Sequence, residues 1–519
     1  FLSPRRGERQ RGSSLSPLKG ERRVRGAICI MVGYPLIFDG FAKFLDALES
    51  RGDLIRIHFP VDPYLEITEI ANRVMKRGGP ALVFEKVKGS SFPLAINCLG
   101  SQERIKLALG INRLEDIGEG LFSLVKSIPA ASSLREKMKL LLKFNQIRNI
   151  FPKIISGKAP CQEIIMDKPD LDSLPVLTCW PQDGGPFITL PIVITKDPET
   201  GLRNCGMYRL QKFSSTTTGM HWQLHKDGKR IFNKYLSKGE RIEVAVALGG
   251  DPVLTYAATA PLPPGLDELL FAGYIKQRPV DLVKAITIDL EVPAQADFII
   301  EGYIDPTEPF QPEGPFGDHT GFYTPAEKFP VFHVTGITHR KNAVYPTTIV
   351  GIPPMEDAYL GWATERIFLP FLKLIYPEIV DLHLPVEGGF HNLAVVSIKK
   401  TYPGQGTKIM QSLWGAGQMM LTKCLVVVED DIDIHDLKQL TWYVLSNVDP
   451  KRDLVVWQGP LDQLDHASNF PAYGGKIGID ATKKWKEEGY ARQWPEMITM
   501  TPEVKKRIDE IWDQLGISC

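Results

Sequence analysis

The sequence predicts a mixed α/β (α+β) protein in three parts: an N-terminal α/β domain, a strand-rich middle third and a C-terminal α/β domain. Three observations predict it. Helix and strand periodicities alternate after Met31, short strands dominate between about 190 and 341, and alternation returns beyond about 359. A length of 519 residues is enough for three or four domains of roughly 150 residues each.

In chain order, Phe41, Phe44, Leu45 and Leu48 recur at helical spacing, and Gly52 stops that helix. LIRIHFPVD (54–62) reads as a strand, 65–75 as a helix, ALVFEKV (81–87) and FPLAINC (92–98) as strands, and 102–148 as largely helical. A change to Pro, Gly and short apolar runs puts a boundary near 150–165. The middle third offers strands at 191–197, 205–213, 241–250, 298–305 and 329–341, fitting a barrel or a sandwich, with one helix at about 266–275. In the last third, a helix near 359–376 precedes a strand at 391–400, and a helix at 408–421 precedes a strand at 424–431. A helix from His435, a strand at 453–459 and an amphipathic helix at 502–515, suited to docking on a partner subunit, complete the chain. The divisions are 1–30 as a disordered basic extension, 31–155, 156–350 and 351–519.

Lys and Arg number 61 and Asp and Glu 61, so the balanced charge gives no bulk reason for nucleic acid or anionic membrane as the main partner. No apolar run reaches the roughly 18 residues of a spanning helix. The seven cysteines are dispersed without CxxC spacing, which argues against a disulfide framework or a thiolate zinc site and for a reducing compartment. Residues 1–26 carry eight Lys/Arg and a near-repeat, SPRRGER and SPLKGER, with almost nothing to bury. The expectation is a translated upstream segment with Met31 as the natural start; a basic arm for nucleic acid or phospholipid is the alternative.

No P-loop, HExxH, GxSxG or GxGxxG after a strand is present, so chemistry must lie with scattered polar residues. Asn204 precedes a strand and is either a turn residue or a ligand whose amide a metal satisfies. Arg209, five residues on, needs a carboxylate or phosphate if buried, and a regular strand puts it on the opposite face. His221 and His225 are metal ligands or ordinary satisfied histidines. Glu268, beside Asp267 on an otherwise apolar helix, is a ligand or a carboxylate favoured by the helix dipole. In EGPFGDHTGFY (313–323), Glu313 and Asp318 sit five apart on a Gly-Pro-rich loop. They are surface turn residues or a pair whose proton affinities are pushed apart, one keeping a proton near neutrality as a general acid. Asn, His and Glu together suit Mn²⁺ or Mg²⁺.

The blocks TCWPQD (178–183), NCGMYRLQ (204–211), ALGGDP (247–252), LDELLFAG (266–273), DLEVPAQADFIIEGYI (289–304), EGPFGDHTGFY, AVVSIKK (394–400) and GIDATKKW (478–485) run in order through the chain. With them the sequence resembles the UbiD family of prenylated-flavin-dependent decarboxylases, whose namesake is 3-octaprenyl-4-hydroxybenzoate carboxy-lyase. The resemblance implies a central split β-barrel like that of flavin reductases, flanked by α/β regions. It implies prenylated FMN and Mn²⁺, with K⁺ as a further ion, the metal held by Asn204, His221 and Glu268. Some members carry Arg at the position of His221. Met207, Tyr208, Arg209, His221, Trp222, Gln223, Asp227 and Gly228 match cofactor-binding positions, and Lys400 or its neighbour Lys399 is expected at the phosphate. Arg209, Glu313 and Asp318 match the catalytic network, with Asp318 as proton donor.

The implied function is non-oxidative decarboxylation of an aromatic acid, with 4-hydroxy-3-polyprenylbenzoate in ubiquinone synthesis as first reading. Reversible (de)carboxylation of a small hydroxybenzoate is the alternative, and a non-catalytic flavin-binding protein a further one. Implied partners are a flavin prenyltransferase as cofactor supplier and further copies of the chain in a dimer or hexamer. Nucleic acid is not expected. Localisation is expected to be cytoplasmic, with at most peripheral contact at the inner face of the membrane.

Overall fold

Helix Phe41–Ser50 buries Phe41, Phe44, Leu45 and Leu48 on one face, the i, i+3, i+4, i+7 stripe of an amphipathic helix. Gly52, at φ 76°, ends it in the left-handed region. The computed structural model describes residues 38–127 and 148–517; the basic N-terminal run and the central part of the stretch expected to be helical lie outside the described residues. Strands Leu54–Ile57 and Ala81–Phe84 pair in parallel, joined by helix Glu66–Met75. Ala81–Phe84 pairs antiparallel with Leu94–Ile96, and Tyr345–Pro346 returns to pair in parallel with Leu94–Ile96. The N-terminal sheet thus incorporates a strand from the end of the middle third.

The nine-stranded central sheet runs, edge to edge, Phe187–Ile188, Leu210–Lys212, Thr217–Met220, Val331–His339, Phe298–Ile304, Ile242–Leu248, Ile192–Lys196, Arg203–Gly206, with Ile164–Ile165 added to Val331–His339. Ile242–Leu248 is apolar almost throughout because both of its faces are buried. The expected strand 205–213 is two strands, Arg203–Gly206 and Leu210–Lys212, separated by six strand spacings along this order. Laid flat, that separation is about 29 Å at roughly 4.8 Å per strand. The chain from Gly206 to Leu210 reaches at most about 14 Å. The sheet must therefore curl into a half-barrel whose ends approach each other, and Met207, Tyr208 and Arg209 form the crossing at the seam. The regular strand expected to set Asn204 and Arg209 on opposite faces does not exist.

The middle third also holds three helices rather than one: Asp227–Lys238, Pro252–Ala257 and Glu268–Lys276. The first does carry an apolar stripe, Ile231, Phe232 and Tyr235, which the strand-rich reading of this region passes over, and the second is short. The expected strand 329–341 breaks at Pro330 into Glu327–Phe329 and Val331–His339, since proline cannot donate to a ladder.

The C-terminal sheet has the order Ile379–His383, Leu393–Ile398, Cys424–Glu429, Tyr473–Asp480, Leu454–Pro460. Its middle three strands are parallel and its two edges antiparallel. Helices Glu356–Ile375, Gln405–Trp414 and Leu437–Asn447 pack around it. The interior strand Tyr473–Asp480 has no apolar run to announce it. Gly478 lies so close to helix Gln405–Trp414 that a Cβ there would meet Met410 Sδ at 2.3 Å. The terminal amphipathic stretch is helix Pro502–Ile511 followed by a 3₁₀ turn, with Val504, Ile508, Trp512 and Leu515 exposed.

Candidate active site

Arg209 leaves the seam into a buried setting and lies over the Phe316 ring, 4.4 Å from guanidinium carbon to centroid. It grips Glu313 with two parallel bonds, Nε to Oε1 at 2.8 Å and Nη2 to Oε2 at 3.1 Å. Its Nη1 donates to Asp318 Oδ2. Glu313 is fully buried and also accepts from His221 Nδ1 at 3.0 Å. The Arg209–Glu313–Asp318 set predicted from sequence is thus one connected cluster.

The loop that carries the two carboxylates is held by TCWPQD. Asp183 Oδ1 accepts the Gly317 amide at 2.8 Å, while Oδ2 accepts the amides of Cys179 and Trp180. Gln211 Oε1 accepts the Gly314 amide at 2.7 Å, and Gly184 donates to Pro315 O. Trp180 packs so tightly on the loop that a Cβ at Gly317 would come within 2.2 Å of its Cδ1. Asp318 follows in the turn closed by Asp318 N to Phe322 O.

Burial alone would raise the Glu313 carboxyl, but the bonds from His221 and Arg209 outweigh it and bring it down to about 2. Burial likewise opposes ionisation of Asp318; the His319 hydrogen bond and the Arg209 charge hold it well below the usual carboxylate range. The expectation that this pair keeps a proton near neutrality therefore fails. A guanidinium stands between the two carboxylates, so they do not repel each other into sharing one.

Asn204 and Glu268 line a separate cleft of about 250 Å³, together with Arg203, Asp227, Arg230 and Lys234. Asp267, not Glu268, caps helix Glu268–Lys276 through its bond to Leu269 N. Glu268 is thereby free to reach across and accept the Cys205 amide at 2.9 Å. Burial pushes its carboxyl up to about 7. Asn204 Nδ2 is buried beside the Tyr208 hydroxyl and makes no hydrogen bond of good geometry. His221 does not line this cleft. Its Nδ1 is committed to Glu313, and its Nε2 is buried and unpartnered. A carboxylate on one ring nitrogen and a free second nitrogen is how metal-bound histidines are usually oriented.

Of the positions expected to bind cofactor, Tyr208 and Trp222 are buried, and Gly228 donates its amide to Tyr208 Oη at 3.1 Å. A Cβ at Gly228 would lie 2.7 Å from Trp222 Nε1, itself buried and unpartnered. Met207 anchors the crossing through its amide to Ala258 O, and Gln223 O accepts the Lys226 amide. Asp227 is the first residue of its helix and pairs with Arg230. His225 is exposed. Lys400 stands apart: its ammonium binds Glu488, Lys483 O and Thr482 within the C-terminal domain. Those partners answer its charge, and the structure gives it no role in the Asn204–Glu268 cleft.

Sequence reasoning missed Asp183, Phe316, His319 and His391. His319 Nδ1 donates to Asp318 Oδ1 at 3.0 Å, and His319 Nε2 is 2.7 Å from His391 Nε2. His319 was visible beside Asp318 in the richest motif; nothing near His391 in the sequence points to it. A further cluster brings donor atoms of Glu365, His383 and His435 within 4.8 Å of one another. Arg366 lies on Glu365 and Asp381, and His435 pairs with Asp381, so that cluster is an ion-pair network.

Family models for the N-terminal, Rift-related and C-terminal domains of 3-octaprenyl-4-hydroxybenzoate carboxy-lyase match residues 45–121, 153–353 and 358–481. The chain belongs to the UbiD family. Uncharacterized relatives in Aquifex aeolicus and Archaeoglobus fulgidus are 54% and 51% identical, covering 91% and 92% of this chain and 98% and 99% of their own length. Vanillic acid decarboxylase of Sedimentibacter hydroxybenzoicus in its closed form is similar with a TM-score of 0.80 and 26% identity, over 93% of this chain and all of its own. The UbiD-class enzyme HmfF of Pelotomaculum thermopropionicum, in complex with FMN, is similar with a TM-score of 0.74 and 30% identity, over 90% and 98%. The UbiD-family chain is thus an aromatic-acid decarboxylase by family. Its five described cysteines are free, and among the described residues no helix is long and apolar enough to cross a membrane.

Proposed function

We propose that this UbiD-family protein is a prenylated-FMN-dependent decarboxylase of 4-hydroxybenzoate-type acids, with 4-hydroxy-3-polyprenylbenzoate as its substrate. The observation that carries the reading is Arg209, buried at the barrel seam between Glu313 and Asp318. The residues fit the groups the family uses. Buried N–H donors on Asn204 and Trp222 suit acceptor atoms of a flavin phosphate or ring, the bare His221 Nε2 suits a metal, and the Glu268 carboxyl raised by burial is one that a divalent cation would return to its charged form. Asn204 and Glu268 would hold Mn²⁺ by oxygen, with His221 as third ligand and K⁺ as a further ion, and Tyr208, Trp222 and Gly228 would wall the flavin. Phe322 and Ile352, both largely exposed, flank the Asp318 turn and favour an apolar ring substituent. The small-acid reading is favoured by the similarity to vanillic acid decarboxylase.

Prenylated FMN, when bound, supplies the electron sink for the departing carboxylate. Everything else falls to the chain. Arg209 pairs with the substrate carboxylate and orients it. Glu313, pinned by His221, fixes Arg209. The carboxylate competes with Asp318 for Nη1, and Asp318, released from that charge, gains proton affinity and delivers a proton to the ring carbon. Exposed Val456 and Trp457 on the edge strand Leu454–Pro460, with Ile498 beyond it, fit a homo-oligomer built on the C-terminal domain. The cofactor would come from a separate flavin prenyltransferase.

The test is expression with a flavin prenyltransferase, then absorbance, bound metal and CO₂ release. Release from 4-hydroxy-3-polyprenylbenzoate in preference to vanillate and 3,4-dihydroxybenzoate supports the proposal. Preference for the small acids moves the assignment to the alternative, and no release from any of them removes it.

A further inference from the structure

Decarboxylation consumes one proton per turnover: the C–C bond breaks, its electron pair stays on the ring carbon, and a C–H bond forms. Asp318 is placed to deliver that proton, yet Arg209 and His319 hold it as a carboxylate. Something must charge it. His319 lies directly behind it, Nδ1 to Oδ1 at 3.0 Å. The other ring nitrogen of His319 faces His391 Nε2 at 2.7 Å, so one of the two must donate and the other accept. His391 comes from the segment before strand Leu393–Ile398, in the C-terminal domain. Its Nδ1 is buried with no partner among the described residues.

We propose that His319 is the proton store that charges Asp318, and that His391 is a positioning residue holding His319 in the tautomer that does so. The inference rests on the decarboxylase reading above. In the resting arrangement His319 is an imidazolium, donating from Nδ1 to Asp318 and from Nε2 to His391. When the substrate carboxylate draws Arg209 from Asp318, the Nδ1 proton passes to Asp318 and then to the carbon. His319 is left neutral with its remaining proton on Nε2, still bonded to His391, and the next proton comes from water. No oxidant or reductant is needed.

The surroundings favour this division of roles. Asp318, Asp357 of helix Glu356–Ile375 and Asp462, beyond strand Leu454–Pro460, all raise the proton affinity of His319 against its burial. Burial comes first in bringing His391 down to about 4, followed by the charge of His319; Lys226 adds to it, and Asp462 and Asp318 oppose it. His391 is therefore the neutral acceptor. The Phe390 ring, 5.5 Å from that of His319, closes the remaining side. Without His391, the Nε2–H would lose its acceptor and the ring its orientation.

The test uses the cofactor-loaded enzyme and its His391→Ala, His391→Gln and His319→Asn variants, with kcat and KM followed across pH. His391→Ala should lower kcat on the order of tenfold or more, with KM little changed. Added imidazole should restore its kcat, and His391→Gln, whose amide oxygen can accept the Nε2–H, should retain most of the activity. His319→Asn should lose turnover that imidazole at the His391 site does not restore. Loss of KM and melting temperature together with kcat, without a response to imidazole, would overturn the proposal. An independent readout is the proton spectrum of ¹⁵N-histidine-labelled protein without cofactor. A downfield N–H signal lost in His391→Ala supports the pair; no such signal in the parent chain overturns it. If the parent releases no CO₂ from any acid, the decarboxylase reading fails while this spectrum still decides the pair.

Discussion

Glu313 joins Arg209 to His221 through one buried carboxylate: Oε1 takes Arg209 Nε at 2.8 Å, and Oε2 takes His221 Nδ1 at 3.0 Å. One side chain therefore links the residue meant for the substrate carboxylate with the residue proposed as a metal ligand. Neither can shift without disturbing the other.

The first prediction follows from that carboxylate. The folded pKa of Glu313 is depressed from 4.5 to about 2, so its stabilisation is present above pH 4.5 and lost as pH falls towards 2. The shift corresponds to about 3 kcal/mol. Denaturant unfolding of cofactor-free protein should show this loss between pH 4.5 and 2, and Glu313→Gln should flatten it. Near neutrality Glu313→Ala should be less stable by about 3–5 kcal/mol, because Arg209 is left buried and half-paired. An unchanged pH slope in Glu313→Gln would show that the pairing does not contribute to folding.

A second prediction concerns Gly317. Its missing Cβ leaves room for Trp180, whose Cδ1 would otherwise be 2.2 Å away. Gly317→Ala should push the loop and misplace Asp318 while leaving the rest of the sheet intact. Turnover should fall on the order of 10²-fold, the penalty of a displacement near 1 Å in a positioned group. Melting temperature should drop only modestly. Full activity in Gly317→Ala would mean that Trp180 gives way at no cost to the site.

How much of this was legible in the sequence differs from residue to residue. The triad Arg209, Glu313 and Asp318 was legible through the family resemblance; on spacing alone Glu313 and Asp318 were equally a surface turn, and nothing local joined Arg209 to them. Its proton state was not, because Arg209 comes from the crossing at the seam, far away in sequence, and separates two carboxylates that are near neighbours in sequence. The half-barrel's strands were legible as apolar runs, but its curl was not. The curl depends on Gly206 and Leu210 lying six strand spacings apart in the sheet order, a topological fact with no local signal. Strand Tyr473–Asp480 was lost because its glycines break the apolar pattern, and the reason for one of them, Gly478, is Met410 and Trp414 of a helix far away in sequence. By resemblance either Lys400 or Lys399 was expected at the phosphate; in the structure the Lys400 ammonium pairs with Glu488, a partner with no local signal in the sequence.

Glu268→Gln gives a third prediction. An amide oxygen is a poorer ligand for a hard cation and brings no charge to balance it. Manganese and flavin should therefore be lost together on gel filtration, as read by metal analysis and absorbance. The fold should survive, because the amide oxygen can still accept the Cys205 N–H. Undiminished manganese in the variant would remove Glu268 from the metal site.

Asp318→Asn is the decisive substitution for the proton path. The amide keeps the shape of the carboxylate, and its oxygen can still accept from Arg209 or His319, but it cannot carry a proton from His319 to carbon. Flavin and metal should stay bound, since Asn204, His221 and Glu268 are untouched. Substrate affinity should change little, or improve, because Asp318 no longer competes with the substrate for Arg209. Turnover should fall on the order of 10²-fold or more, the usual contribution of a positioned acid. In the parent enzyme the proton comes through His319, so lowering pH should not rescue Asp318→Asn, whereas it should partly rescue His391→Ala by protonating a loosened His319. Near-normal turnover by flavin-loaded Asp318→Asn would leave Glu313 as the donor. That donor would have to release a carboxylate held at about 2 by His221 and Arg209, and the pH optimum would then shift to acid.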